Sequence, residues 1–93
     1  MKVYLSSSFG KKIKKFQKQE KLALDNEIQR IIENPSVGSE KRGDLKGIFV
    51  HKFQIINTLF LMSYRFVGDD IELITIGPHE NYYRDLKVYL KKR

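Results

Sequence analysis

The sequence predicts an α+β domain in the order β-α-α-β-β-β-α, a small antiparallel sheet packed against two N-terminal helices with a C-terminal helix. Three observations predict it. Apolar residues recur at helical spacing in the first third of the chain. Three strand-like runs follow, separated by short turns. The last apolar residues return to helical spacing.

The elements are justified in order. "KVYL" (Lys2–Leu5) has a short β-type composition, and Ser6, Ser7 and Ser8 then offer N-cap hydroxyls. Phe9, Ile13 and Phe16 fall at i, i+4 and i+7, which is one helical face, with Lys11, Lys12, Lys14, Lys15 and Lys18 on the others. A second helical pattern runs through Leu24, Ile28, Ile31 and Ile32. It stops at Asn34-Pro35, because the residue before a proline is driven out of helical conformation. Two helices are expected, joined near Gln19–Lys21. Residues 34–47 are rich in Gly, Ser, Asn and Pro and read as loop. The runs Ile48–Ile56, Thr58–Val67 and Ile71–Ile76 form a meander, with turns around Asn57 and at Gly68–Asp70. After Gly77-Pro78, Tyr82, Leu86 and Tyr89 share a helical face, with Tyr83 and Leu90 near it. Asn81 is the expected cap.

The bulk composition limits the function classes. Ninety-three residues argue for one domain, 1–93, and 41% hydrophobic residues are enough for a core. Without cysteine there is no disulfide framework and no thiolate metal site, which fits a reducing cytoplasm. No apolar stretch approaches the ~20 residues of a membrane span. The N-terminus lacks the apolar centre of a signal peptide, so a cytoplasmic protein without a membrane partner is expected. The formal net charge is +7, and residues 1–21 hold seven lysines against the single acid Glu20. That asymmetry points to a polyanion partner, most often nucleic acid.

Strand alternation sorts the polar residues of the meander. In "FVHKFQI", Phe49, His51, Phe53 and Ile55 take one face, toward the helices, and His51 reads as a packed histidine. Val50, Lys52 and Gln54 take the other face. Arg65 joins Lys52 there if the hairpin register allows. His79 emerges just past the third meander strand. Tyr82 and Tyr83 are adjacent on a helix and so point in different directions, Tyr82 toward the core. If one concave face gathers Lys52, Arg65, His79 and Tyr83, it holds a group that titrates near neutral pH, two cations and a phenol. Such a set suits RNA backbone cleavage. A 2′-hydroxyl must lose a proton, the phosphorane needs positive charge, and the 5′-oxygen must gain a proton. The acids show no metal-ligand spacing, so chemistry without metal or cofactor is expected. Phosphate-binding loops, a dinucleotide fingerprint and a nucleophile elbow are absent.

The order of elements and the segments "LKGIFVHKFQI", "FLMSYRF" and "IGPHENYYRDL" resemble the RelE/ParE superfamily of type II toxins, across essentially the whole chain. The resemblance implies a toxin that a neighbouring antitoxin wraps and neutralises. In the RelE branch, which the histidine and the basic N-terminal third favour, it implies mRNA cleavage in the ribosomal A site. In the ParE branch it implies inhibition of DNA gyrase without RNA chemistry. Lys52 matches the first basic strand position of the RelE branch. The second falls on the uncharged Gln54, and the usual phosphate-stabilising arginine falls on Leu61, so Arg65 is the expected substitute. His79 matches the catalytic residue after the last strand, as in YafQ-like and YoeB-like members, and Tyr83 the late aromatic, with Tyr82 second. The implied roles are His79 as general acid, Lys52 either stabilising the phosphorane or aiding deprotonation, Arg65 on phosphate and Tyr83 against a base. Lys11, Lys12, Lys14, Lys15, Lys18, Lys46 and Gln54 are the implied contacts to ribosomal or messenger RNA. The free toxin is expected to be a monomer and its antitoxin complex larger.

Overall fold

A computed structural model describes residues 2–80 and 82–91. Asn81, the expected cap of the last helix, lies outside the described residues. The elements are β1 (Val3–Leu5), α1 (Ser7–Ile13), α2 (Lys18–Glu33), β2 (Ser39–Glu40), β3 (Phe49–Ile55), β4 (Thr58–Val67), β5 (Asp70–Pro78) and α3 (Tyr82–Lys91), with 3-10 turns at Pro35–Val37 and Gly43–Leu45. The order of elements follows the sequence pattern. The short β2 is an addition inside the stretch read as loop. It pairs antiparallel with the start of β3, Ser39 opposite Val50.

The five strands lie in the order β1-β5-β4-β3-β2. The meander β3-β4-β5 is antiparallel as expected, but β1 runs parallel to β5, with Val3 opposite Ile71 and Leu5 opposite Leu73. The sheet is therefore mixed. A parallel neighbour needs a long crossover, and here nearly the whole chain supplies it.

Local chemistry sets the helix ends. Ser6 is the N-cap of α1: its Oγ accepts from the Phe9 amide at 3.1 Å and donates to the Ile74 carbonyl. The join between the helices lies at Lys14–Gln17, earlier than the expected Gln19–Lys21. Two contacts explain the shift. The Glu20 carboxylate accepts the Gln17 amide at 2.8 Å, half of a capping box. Phe16 meets Phe60 edge to face at 5.7 Å, which pulls the turn onto the sheet. Helix α2 ends at Glu33, ahead of Pro35, as predicted.

Each sheet face carries a core. On one, Phe9, Leu24 and Ile31 from the helices meet Phe53, Ile55, Phe60, Met62, Tyr64, Ile71, Leu73 and Ile76. On the other, Tyr82 and Leu86 of α3 meet Leu45, Ile48, Val50, Leu61 and Ile74. A bulge makes this sharing possible. Ser63 pairs with Thr75 and Tyr64 with Leu73, so Ile74 has no opposite residue. Leu73 keeps to the first core while Ile74 serves the second.

Two polar contacts lock the first core. His51 is buried, and its Nε2 lies 2.8 Å from Oε1 of Glu27 on α2, so it is the packed histidine that alternation predicted. The Tyr64 hydroxyl donates to the Pro35 carbonyl at 2.6 Å and accepts from the Gly38 amide at 3.0 Å, tying the loop after α2 to the sheet. Burial raises the Tyr64 pKa above its ordinary value.

Candidate active-site groove

The face beneath α3 positions the candidate residues. Lys52 pairs with Leu61, and Leu61 with Gly77, forming one row across β3, β4 and β5. Gln54 pairs with Leu59, whose carbonyl accepts the His79 amide at 3.2 Å. His79 therefore sits one pleat beyond the Lys52–Gly77 row. Two strand spacings and one pleat put the Lys52 and His79 backbones about 12 Å apart. Lys52, Gln54 and His79 are all exposed. Side chains from two such positions can converge on one phosphodiester between them. The turn carrying His79 is held at both ends, since its carbonyl accepts the Tyr82 amide at 3.3 Å.

Helix α3 is seated by Tyr82. This residue is 3% exposed, and its hydroxyl donates to the Thr75 carbonyl at 2.9 Å. Burial raises its pKa above the ordinary tyrosine value. Tyr82 is thus a core anchor, and Tyr83 is half-buried against the same core. The two rings meet edge to face at 5.7 Å, and the Lys41 ammonium sits 5.4 Å from the Tyr83 ring centre.

Arg65 does not join this group. It lies on the same side of the sheet as Leu61 by alternation but four residues further along β4, about 13 Å away at ~3.3 Å per residue. Its Nε contacts the Glu72 carboxylate at 2.7 Å. Both distance and pairing remove it from the Lys52–His79 pair. Leu61 is wholly buried in the core under α3. The cation that does approach this row comes from α1. A side chain at Gly77 would begin 3.8 Å from the Lys12 Nζ and 3.7 Å from the Tyr82 ring. The bare backbone of Gly77 leaves room there for the ammonium of Lys12, directly beside the Leu61 row.

The remaining lysines do not form a single helical surface. Lys11 and Lys12 line a hollow with Tyr89 between α1 and α3. Lys14 borders a mostly apolar groove between α1 and α2, lined by Phe9, Ile13, Leu24 and Ile28. Lys15 lies in the turn and Lys18 opens α2, both exposed. Lys46 is exposed beside Lys41 and Arg42. Sequence reasoning missed Lys41, because "SEKRGDLKG" reads as loop and says nothing of a ring above which its lysine rests. It also left Lys12 among general RNA contacts. Its proximity to Gly77 depends on where α1 docks, which periodicity does not fix.

The sequence profile of the ParE-like toxin of type II bacterial toxin–antitoxin systems matches residues 3–87. Among curated proteins none matches the chain by sequence. Solved structures share its fold. An E. coli RelE with two arginine-to-alanine substitutions, in the free state, superposes with a TM-score of 0.73 at 13% identity, over 99% of this chain and 95% of that one. The YoeB/ParE toxin from Agrobacterium tumefaciens gives 0.69 at 19% identity, over 85% and 99%. The intact E. coli RelBE toxin–antitoxin complex gives 0.68 at 14% identity, over 85% and 96%.

Proposed function

Because the chain belongs to the ParE-like toxins of type II bacterial toxin–antitoxin systems, we propose that it is a ribosome-dependent endoribonuclease that cuts mRNA in the A site and is silenced by a cognate antitoxin. The observation that carries this reading is the placement of Lys12. The family's phosphate-stabilising arginine would fall at Leu61, and the ammonium of Lys12 lies beside Gly77, the partner of Leu61 across the sheet. Lys52 lies on the strand to one side of Leu61 and His79 just past the strand to the other, so two cations and an imidazole can converge at this corner.

The chemistry follows from that corner. The scissile phosphate lies between Lys52 and His79, near Lys12. The 2′-hydroxyl gives up its proton to solvent water as its oxygen attacks phosphorus. Two ammonium groups offset the charge that grows on the phosphorane oxygens. His79, as imidazolium, protonates the departing 5′-oxygen, leaving a 2′,3′-cyclic phosphate. Tyr83 orients a neighbouring base. The ribosome supplies the in-line geometry that an open groove lacks.

A second reading, inhibition of DNA gyrase without RNA chemistry, is favoured by the buried Leu61 and the Glu72-bound Arg65. One experiment separates them. His79→Ala, checked for folding by thermal melting, is induced beside the parent protein, and mRNA ends are mapped by primer extension. The expected outcome is A-site cuts by the parent and at least ~100-fold fewer by the variant. Parent toxicity without mRNA cuts, together with inhibited gyrase supercoiling in vitro, would establish the second reading instead.

A further inference from the structure

At the other end of the groove, Lys41, Arg42, Lys46 and Lys52 form no ion pair among the described residues. Asp44, the acid between them in sequence, is turned to Lys87 at 3.5 Å. Lys41, Arg42 and Lys46 border a hollow of about 430 Å³, with Glu40 as the one acid in its lining. Lys41 and Lys52 border a second hollow of about 310 Å³. Lys41 is common to both, so the four cations form a continuous run from the Lys52–His79 corner to the sheet edge.

This run is held in place by the backbone. The Lys41 amide donates to the Ile48 carbonyl at 2.8 Å and that of Lys46 to Gly43 at 3.1 Å, and residues 41 and 46 form a β-bridge. Gly43 and Gly47 take φ +68 and +85, values that L side chains rarely adopt, and so allow the tight reversal. The Tyr83 ring holds the Lys41 ammonium between the two hollows. Cations placed in advance, with no carboxylate to release, bind an anion at lower entropic cost than free surface lysines.

We infer that Lys41, Arg42 and Lys46 continue the substrate path beyond Lys52, binding the phosphates of the single-stranded RNA that flanks the cut. The choice of RNA rests on the ribonuclease reading and on Tyr83. Cations alternating with an aromatic face are what a single strand needs, phosphates to the charges and a base to the ring. An acidic peptide has no use for the ring.

The test measures binding apart from cleavage. The full chain and its Lys41→Gln/Arg42→Gln variant are titrated into a fluorescein-labelled, 2′-O-methylated oligoribonucleotide, which lacks the attacking hydroxyl. Affinity is followed from about 50 to 250 mM NaCl. Loss of two phosphate contacts is expected to make the log–log salt slope shallower by about 1.4, at ~0.7 per contact for single strands. The melting temperature should not change. An unchanged slope overturns the proposal, as does polyglutamate that competes as well as RNA of equal charge. A shallower slope for the variant, together with a parent protein that makes no mRNA cuts, upholds the track and sinks the ribonuclease reading. Cuts with an unchanged slope do the reverse.

Discussion

Gly38→Ala sets two effects of opposite sign against each other. Gly38 has φ −78 and ψ 162, which alanine adopts freely, so backbone freedom alone predicts stabilisation by about 0.4–1 kcal/mol through the unfolded chain. The new Cβ, however, would lie 2.6 Å from the Tyr64 hydroxyl oxygen and 2.9 Å from Cε1. Tyr64 is fully buried and stacked on Phe49 at 5.5 Å, so its ring has nowhere to retreat. The loop must move instead, and that stretches the bonds from the hydroxyl to Pro35 and from Gly38 to the hydroxyl. Two weakened hydrogen bonds cost about 1–3 kcal/mol together. The overpacking adds about 1–3 kcal/mol. The clash wins, with a net loss of about 1–5 kcal/mol, centred on ~3, and a fall in Tm on the order of 10–25 °C at that centre for a domain of this size. Thermal melting followed by circular dichroism measures it. Tyr64→Phe removes the atom at 2.6 Å, so the double variant should lose less than the two single losses added together. A Gly38→Ala protein that melts at or above the parent temperature would refute the packing argument.

Three further outcomes follow from the groove and the two cores. Lys12→Met keeps the aliphatic stem and removes the charge. It should lower mRNA cleavage in a translation extract by about 10- to 100-fold with little change in Tm, and full cleavage would remove Lys12 from the site. Leu61→Arg restores the residue expected from the family pattern but places a guanidinium under α3. It should destabilise the fold by about 3 kcal/mol or more and loosen α3 to proteolysis, with no gain in cleavage. Finally, Tyr64 and Tyr82 both have raised pKa values, set by burial. The unfolded chain then loses their protons first, so stability is intact below about pH 10 and falls as pH rises above it. In urea melts between about pH 8 and 11, Tyr82→Phe should flatten that decline.

The sequence carried the fold well where a local rule and the tertiary packing agreed. Ser6 caps α1, Pro35 ends α2, and period-2 alternation sent His51 inward and Lys52 outward. It carried less where a single non-local contact decides. The parallel pairing of β1 depends on residues 68 positions away, and three residues of β-type composition do not name their neighbour. The hairpin tip turns on Ile56 as well as Asn57. Ile56 takes φ 56, a strained value for a β-branched residue that no turn preference suggests. At the groove, alternation put Lys52 on the outer face and spacing put His79 just past the third strand, and a shared face with Arg65 was only a supposition. The distance of Arg65 from them required the β3–β4 register, and Lys12 and Lys41 required the docking of a helix and a loop. Residue type suggested a chemistry, and only packing shows which cations lie near its candidate residues.

The parallel partnership of β1 and β5 also governs when the groove can form. Ser6 bonds to Ile74, and the Lys2 amide to Asp70, across 68 residues. Closing so long a span costs roughly 2 kcal/mol more than closing a ten-residue loop. Helix α1 therefore has no seat until β5 has been made, and Lys12 cannot reach Gly77 before then. His79 leaves the ribosome later still. A chain still in synthesis holds its first lysines and lacks the corner they are meant to complete. The groove is assembled last, from segments that leave the ribosome first and nearly last, and no partial chain that stops short of β5 can hold it.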